Sequence, residues 1–109
     1  MRIGVIHRYA ESPFLNKTHM LGVCWGIALQ GDFPVCPALY MTQFLDDEEP
    51  AQRELGLKLS GEWLRTCDKV RVYGQLSDGM QSDLEAVQSA GIPIEWLDDN
   101  GHPRQGVKL

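Results

Sequence analysis

The sequence predicts an α/β fold, with a parallel β-sheet covered by helices on both faces. Short runs rich in β-branched residues alternate along the chain with longer segments in which apolar residues recur every three or four positions. Strands that alternate with helices in this way pair in parallel through right-handed crossovers. The length of 109 residues leaves room for one such domain.

The first half of the chain predicts a strand, a helix and a second strand. Residues 2–6 form an apolar run typical of a strand that is covered on both faces. From about Leu15 to Gln30 the apolar residues follow the helical period, and we expect Trp25 to lie in the core. Residues 33–37 contain two prolines, which place this short strand at a sheet edge.

The second half predicts a helix, a strand, a helix and a last strand. Four acidic residues at 46–49 precede Pro50, and both features suit the first turn of a helix, whose buried face would include Trp63. The predicted bounds are about 50–66 and 77–90 for the helices, and 68–74 and 92–96 for the strands. We expect a domain over residues 1–97 and a loose, polar C-terminal tail over residues 98–109.

Composition excludes several classes of protein. The net charge of -5 argues against a protein that binds duplex nucleic acid, which needs a basic face. The longest apolar run, residues 20–29, is about half of what a membrane span requires, and the N-terminus lacks the apolar core of a signal peptide. We therefore expect a cytoplasmic protein that does not associate with membranes.

Motifs for cofactors and metals are absent from the sequence. There is no G-x-G-x-x-G and no G-x-x-x-x-G-K-[ST], so no dinucleotide or triphosphate fingerprint is present. The three cysteines lack CxxC spacing, which predicts neither a disulfide framework nor a structural zinc site. We expect no cofactor and no metal.

The carboxyl ends of the predicted strands are where a ligand should bind, because open parallel sheets bind ligands outside those ends. This rule selects three segments, residues 7–9, 37–40 and 74–79. His7 could serve there as a general base or have a structural role. Tyr9 and Tyr40 could pack against a sugar or base, or cover the edge of the core.

Asp83 is the strongest candidate for a site residue. On a helical projection it falls between Val87 and Ala90, within the apolar sector of its helix. A carboxylate there costs free energy unless a partner or a function compensates for it. The alternative is a carboxylate near the helix start that stays solvated or serves in capping. Asp78 and Gly79 could likewise present free N–H groups to an anion or only cap the helix.

Several short motifs follow one another in order along residues 2–96. They lie at residues 7–9, 16, 37–47, 53–56, 67–70, 72–74 and 77–84. Together they resemble the nucleoside 2-deoxyribosyltransferase-like superfamily, in particular its small bacterial and phage members. The resemblance implies a flavodoxin- or Rossmann-like three-layer sandwich, with four or five parallel strands in the order 2-1-3-4. It also implies a homo-oligomer, since members commonly self-associate.

The resemblance implies an N-glycosidic enzyme and a set of site residues. In the characterised enzymes a glutamate attacks C1′ of the sugar and displaces the base, and Asp83 stands at that position. Tyr9 would be the second catalytic residue, beside the sugar. The implied substrate-binding residues are His7, Arg8, Asn16, Pro37, Tyr40, Gly74, Asp78, Gly79 and Met80.

Two positions differ from the family pattern and leave three hypotheses open. Asp83 is one methylene shorter than glutamate, and Ser60 stands where many of the enzymes carry an aspartate. The first hypothesis is an enzyme that cleaves a nucleoside or nucleotide, as a transferase or a hydrolase. The second is a protein that binds a nucleotide or nucleotide-derived sugar without turning it over. The third is an assembly protein with a vestigial pocket.

Overall fold

The computed structural model describes residues 1–104, in which four strands and four helices alternate almost regularly. The elements in chain order are β1 (Arg2–Ile6), α1 (Pro13–Leu29), β2 (Phe33–Val35), α2 (Pro37–Met41), α3 (Pro50–Leu64), β3 (Lys69–Tyr73), α4 (Asp78–Ser89) and β4 (Ile94–Leu97). The predicted alternation of strands and helices is therefore confirmed. Within residues 1–104 no helix is long and apolar enough to cross a membrane.

The strands form one parallel sheet in the order β2-β1-β3-β4. This is the predicted fold class and the predicted strand order, with four strands in the described part of the chain. The proline-containing strand β2 lies at an edge, where Pro34, which has no N–H to donate, is tolerated.

Two apolar cores lie on the two sides of the sheet. On one side α1 packs Met20 and Ile27 near Ile3 and Val5 of the central strand β1. On the other side, α3 and α4 pack against Val70, Val72 and their neighbours in a larger cluster. The described part of the chain is thus a three-layer sandwich, with one long helix on one face and two on the other.

Close packing in the larger core leaves little space for a side chain at Gly4 in the central strand. A Cβ atom at this position would lie 2.8 Å from both Leu64 Cδ2 and Val70 Cγ2. We expect Gly4→Ala to lower the free energy of unfolding by about 1–3 kcal/mol, because the Leu64 and Val70 side chains must shift to admit the added methyl group. Urea denaturation measures this change.

Gly56 provides a matched control for that substitution. It lies in α3, and its Cβ would lie 3.4 Å from Leu45 Cδ1, which is ordinary van der Waals contact. Because alanine is the better helix former, we expect Gly56→Ala to raise the free energy of unfolding by up to about 1 kcal/mol. An unchanged stability of Gly4→Ala would contradict the tight packing around β1.

The structure corrects the prediction for Trp25. We expected this residue in the core, but its side chain is 67% exposed. Helix α1 is apolar around most of its circumference, so its sequence does not reveal which side faces the sheet, and Met20 and Ile27 occupy the buried side. Trp63, in contrast, packs against the core as expected.

Two further features were not predicted from the sequence. Pro37 begins the short helix α2 where we expected the end of a strand. The first part of the expected loose tail folds back on β4, since the Arg104 N–H donates to the Trp96 carbonyl at 2.9 Å and the Asp98 N–H donates to the His102 carbonyl at 2.8 Å. The rest of that tail, residues 105–109, lies outside the described residues.

Candidate functional site

A pocket of about 370 Å³ opens at the carboxyl ends of the strands, between α2, α3 and α4. Its size is within the range of small-molecule sites. Its location follows the rule that open parallel sheets bind ligands beyond their carboxyl ends. The lining residues are His7, Tyr9, Ala10, Glu11, Pro37, Ala38, Met41, Thr42, Leu45, Asp47, Gln52, Arg53, Gly56, Leu57, Ser60, Ser77, Asp78, Gly79, Met80 and Asp83.

Helix α4 places Asp83 in the wall of this pocket. The helix begins with Ser77 as its N-cap, whose hydroxyl accepts a hydrogen bond from the Met80 N–H at 3.4 Å. Met80, Leu84 and the following turn anchor the helix in the core, so the intervening Asp83 points the same way. Its Oδ1 atom is buried and accepts no hydrogen bond from residues 1–104.

Burial raises the pKa of Asp83 to about 6, and hydrogen bonding with Ser60 opposes the rise. Taking a carboxylate out of water without a cationic partner disfavours its charged form. The carboxyl group is nevertheless mostly ionised at pH 7, about one unit above its pKa. The arrangement therefore holds a desolvated carboxylate with a free oxygen, which is what a nucleophile or a proton acceptor needs.

Close packing of α3 against α4 brings Ser60 to Asp83. The next residue, Gly61, has space for only a hydrogen there, since a Cβ would lie 3.1 Å from the Ala86 Cβ. Ser60 itself is 6% exposed and lines the pocket. Ser60 and Asp83 therefore lie near each other in the pocket lining, and Oδ1 of Asp83 has no hydrogen-bond partner among residues 1–104.

His7 lies in the pocket wall but has no free ring nitrogen. Its Nδ1 lies 2.7 Å from the Arg8 carbonyl, so that nitrogen carries the proton, and its Nε2 lies 2.6 Å from His19 Nδ1 and accepts from it. Burial is the main cause that lowers the pKa of His7. Both ring nitrogens are thus hydrogen-bonded within the protein, so His7 shapes the pocket and has no free nitrogen that could take a proton from a substrate.

The loop after β1 carries Tyr9 into the pocket and is held in place by Asn16. The Asn16 side-chain amide donates to the carbonyls of Tyr9 and Ala10, both at 3.1 Å. Glu11 in the same loop has φ of 74°, a left-handed conformation that is uncommon for a residue with a side chain. Asn16, predicted to contact substrate, therefore holds the loop and does not line the pocket.

Arg53 also lines the pocket, although it is not among the predicted site residues. The Arg53 guanidinium makes an ion pair with Asp47, at 3.1 Å from its Oδ2. Arg53 Nη2 also lies 3.8 Å from the position that a Gly79 Cβ would occupy. In the sequence Arg53 lies among other charged residues that are typical of a solvent-exposed helix face. Only the structure, in which Arg53 approaches α4, distinguishes it from them.

The predicted site residues fall into two groups. The structure brings His7, Tyr9, Pro37, Asp78, Gly79, Met80 and Asp83 together around the pocket. Outside the pocket lining are Arg8, which pairs with Asp99 at 3.3 Å, and Tyr40, which packs edge-on against Phe44 and Trp63. Gly74 is also outside it, in a turn with φ of 71° whose carbonyl accepts from Arg104 at 2.8 Å.

Comparison with known proteins identifies a family and two structural neighbours. A family model described as "Domain of unknown function (DUF7768)" matches residues 2–97. The fold is similar to that of a 2-deoxyribosyltransferase from the psychrotolerant bacterium Bacillus psychrosaccharolyticus, with a TM-score of 0.71 and 14% identity over 100% of this chain and 77% of that chain. It is also similar to a CMP N-glycosidase from Clostridium botulinum, with a TM-score of 0.59 and 14% identity over 90% of this chain and 69% of that chain.

These neighbours confirm the fold that the sequence resemblance implied. At 14% identity they show a shared fold and not a shared activity. No curated protein sequence matches the chain.

Proposed function

The chain belongs to the family described as "Domain of unknown function (DUF7768)", and we propose that this member cleaves the N-glycosidic bond of a nucleoside or nucleotide with Asp83 as the nucleophile. The observation that carries the proposal is the buried, unpartnered Oδ1 of Asp83 in the wall of a pocket of about 370 Å³. A free carboxylate oxygen at a concave site is suited to attack a sugar carbon.

The proposed reaction has two displacements. In the first, Asp83 Oδ1 forms a bond to C1′ of the sugar as the bond from C1′ to the base nitrogen breaks, and the base leaves with that electron pair and takes up a proton. In the second, water or another acceptor attacks C1′, loses its proton and releases the carboxylate. A carboxylate also stabilises the positive charge that develops on the sugar in both transition states.

Ser60 is one of the two departures from the family pattern, and it leaves the proposed chemistry of Asp83 possible. It stands where the family resemblance implies an aspartate, and it lines the same pocket as Asp83. A neutral hydroxyl orients the carboxylate without adding a second negative charge beside it, which would raise the pKa of Asp83 further. The shorter reach of aspartate then has to be met by the approach of α4 to the sugar.

The first turn of α4 and the neighbouring Arg53 support a substrate with an anionic group. The guanidinium of Arg53 and the first turn of α4 at Asp78 and Gly79 line the same pocket. A guanidinium and free helix N–H groups favour an oxyanion such as a 5′-phosphate. The printed names of the structural neighbours include both a deoxyribosyltransferase and a CMP N-glycosidase, which supports testing both nucleosides and nucleotides.

Release of free base tests the proposal. Purified protein would be incubated with 2′-deoxynucleosides, ribonucleosides and their 5′-monophosphates, and the products separated by chromatography. We expect the wild type to release base from at least one member of this panel and Asp83→Ala to release none. Absence of release by folded wild-type protein on the whole panel would contradict the proposal.

Ligand binding without turnover is the second candidate, and the serine at position 60 favours it because it removes a carboxylate that related enzymes keep. Calorimetry with the same panel distinguishes the two functions. Heat of binding without base release supports a nucleotide-binding protein, whereas base release excludes it.

A further inference from the structure

The outer face of helix α1 exposes large apolar side chains that the fold leaves uncovered. We define this face by Phe14, Leu15, Leu21, Trp25 and Leu29, which are 79%, 66%, 52%, 67% and 68% exposed. They are spaced at helical intervals along the side opposite to Met20 and Ile27, and no other element of residues 1–104 buries them. Single exposed apolar residues are ordinary, but five on one face, which is shared with the exposed Thr18, form an apolar patch.

The size of this patch matches one half of a protein interface. With about 150–250 Å² for a large aromatic side chain and somewhat less for leucine, the outer face of α1 exposes on the order of 600 Å² of apolar surface. Two such faces in contact would bury about 1,200 Å², which reaches the lower limit of stable specific interfaces.

Charge selects the kind of partner that this face fits. The chain has a net charge of -5, yet Lys17 is the one Lys, Arg, Asp or Glu residue within α1. Two copies can therefore meet on this face without bringing their acidic residues together. A membrane surface is disfavoured as the partner, because helices that bind membranes carry a flank rich in Lys and Arg.

Two glycines on α1 point to a second helix at close range. Gly22 and Gly26 lie one turn apart, and a Cβ at either position would meet nothing within 4 Å. The fold of one chain therefore does not require glycine there, although glycine in a helix interior costs about 1 kcal/mol each relative to alanine. Removal of the side chain lets another backbone approach closely at this point.

We propose that the outer face of α1 is the interface through which two copies of this chain form a symmetric dimer. In such an isologous contact each helix packs its large side chains against the partner's copy of the same face, and the glycines lie where the two helices cross. The helices meet near Gly22 and Gly26, with Trp25 near the centre. Tryptophan at the centre of a patch is the residue type that most often dominates an interface.

Sedimentation equilibrium of the wild type and of Trp25→Glu tests this interface. We expect the wild type to approach twice the chain mass of 12.3 kDa, and Trp25→Glu to stay at that mass under the same conditions. Trp25 is already exposed, so the substitution leaves the monomer folded, which circular dichroism checks. Leu55→Glu is the matched control, because Leu55 is 45% exposed on α3, and it should dimerise like the wild type.

Gly22→Leu separates close helix packing from a merely adhesive surface. The added side chain has room in the monomer and favours the helix, so we expect a higher melting temperature for the monomer. It also blocks the helix crossing, so the dissociation constant should rise more than about tenfold. A surface that is only adhesive would associate equally well or better with leucine at this position.

Three results would overturn the dimer interface on α1. The first is a wild type that stays monomeric up to about 100 μM, a concentration well above the dissociation constants of stable complexes. The second is a dimer that Trp25→Glu leaves unchanged, which would place the contact on another face. The third is a Gly22→Leu variant with an unchanged or smaller dissociation constant.

Discussion

Asp83→Asn is expected to lower the rate of base release at least about a thousandfold, because the amide cannot form and release the bond to C1′. Asparagine has nearly the same shape as aspartate, so the pocket and helix α4 should be unaffected. Steady-state kinetics by chromatography measure the loss, and binding of the intact substrate measured by calorimetry should survive. A variant that keeps full turnover would remove Asp83 from the reaction.

Asp83→Glu tests how strongly the activity depends on the length of the acidic side chain. The longer acid restores the residue type that the family resemblance implies at this position but displaces the carboxylate in a pocket built around the shorter one. Since a misplacement of about 1 Å can cost roughly a hundredfold in rate, we expect Asp83→Glu to be impaired but more active than Asp83→Asn. An Asp83→Glu variant faster than the wild type would show instead that the aspartate stands too far from the substrate.

The dependence of this activity on pH follows from the pKa of Asp83 of about 6. The nucleophile is the ionised form, so kcat/KM should be level above pH 7 and fall about tenfold per unit below pH 6. A rate that falls as the pH rises through 6 would mean that the protonated form is active, which assigns Asp83 the role of an acid.

The substitution Asp83→Asn is expected to stabilise the folded protein at high pH. The pKa of Asp83 rises from 3.8 to about 6 on folding, which corresponds to about 3 kcal/mol of unfavourable free energy at 1.36 kcal/mol per unit. Asparagine removes the charge but keeps a polar group in the pocket wall. We therefore expect Asp83→Asn to raise the free energy of unfolding by about 2 kcal/mol at pH 8.

The sign of the pH dependence is specific to a carboxyl group whose pKa is raised. Between pH 3.8 and about 6 the folded state keeps a proton that the unfolded state loses, so the wild type loses stability as the pH rises through this window. The advantage of Asp83→Asn should therefore be largest above pH 7 and vanish near pH 4. Urea denaturation at several pH values measures both proteins.

Glu85→Gln is the matched control for this measurement. Glu85 lies on the same helix and is exposed, so its substitution should change the free energy of unfolding by less than about 0.5 kcal/mol at any of these pH values. If Asp83→Asn were no more stable than the wild type at pH 8, the carboxylate would be well solvated. The main support for its role as a nucleophile would then be lost.

Taken together, loss of activity and gain of stability from one substitution would identify a functional carboxylate. Sites kept for function often retain groups that destabilise the fold. A structural carboxylate held by compensating partners would show the opposite, since its removal would lower stability.

Local patterns in the sequence predicted the four strands and the three long helices in their correct order, but not the short helix α2. The β-branched run at Arg2–Ile6 and the alternating residues of Lys69–Tyr73 predict strands, because the residue pattern of a strand can be recognised within a few positions of the chain. The edge position of Phe33–Val35 agrees with the presence of Pro34, which has no N–H to donate to a neighbouring strand. The unusual position of Asp83 on an apolar helix sector was also visible from the sequence alone.

The tertiary structure decided which of these residues share a site and which surface remains open. Ser60 lies near Asp83, which is 23 positions further along the chain. Arg53 approaches Gly79 across 26 positions, and His7 is hydrogen-bonded to His19 across 12 positions. Packing between elements sets such contacts, and no local periodicity encodes them. For the same reason, the exposure of Trp25 on a helix that is apolar on both sides could be known only once Met20 and Ile27 had taken the side facing the sheet.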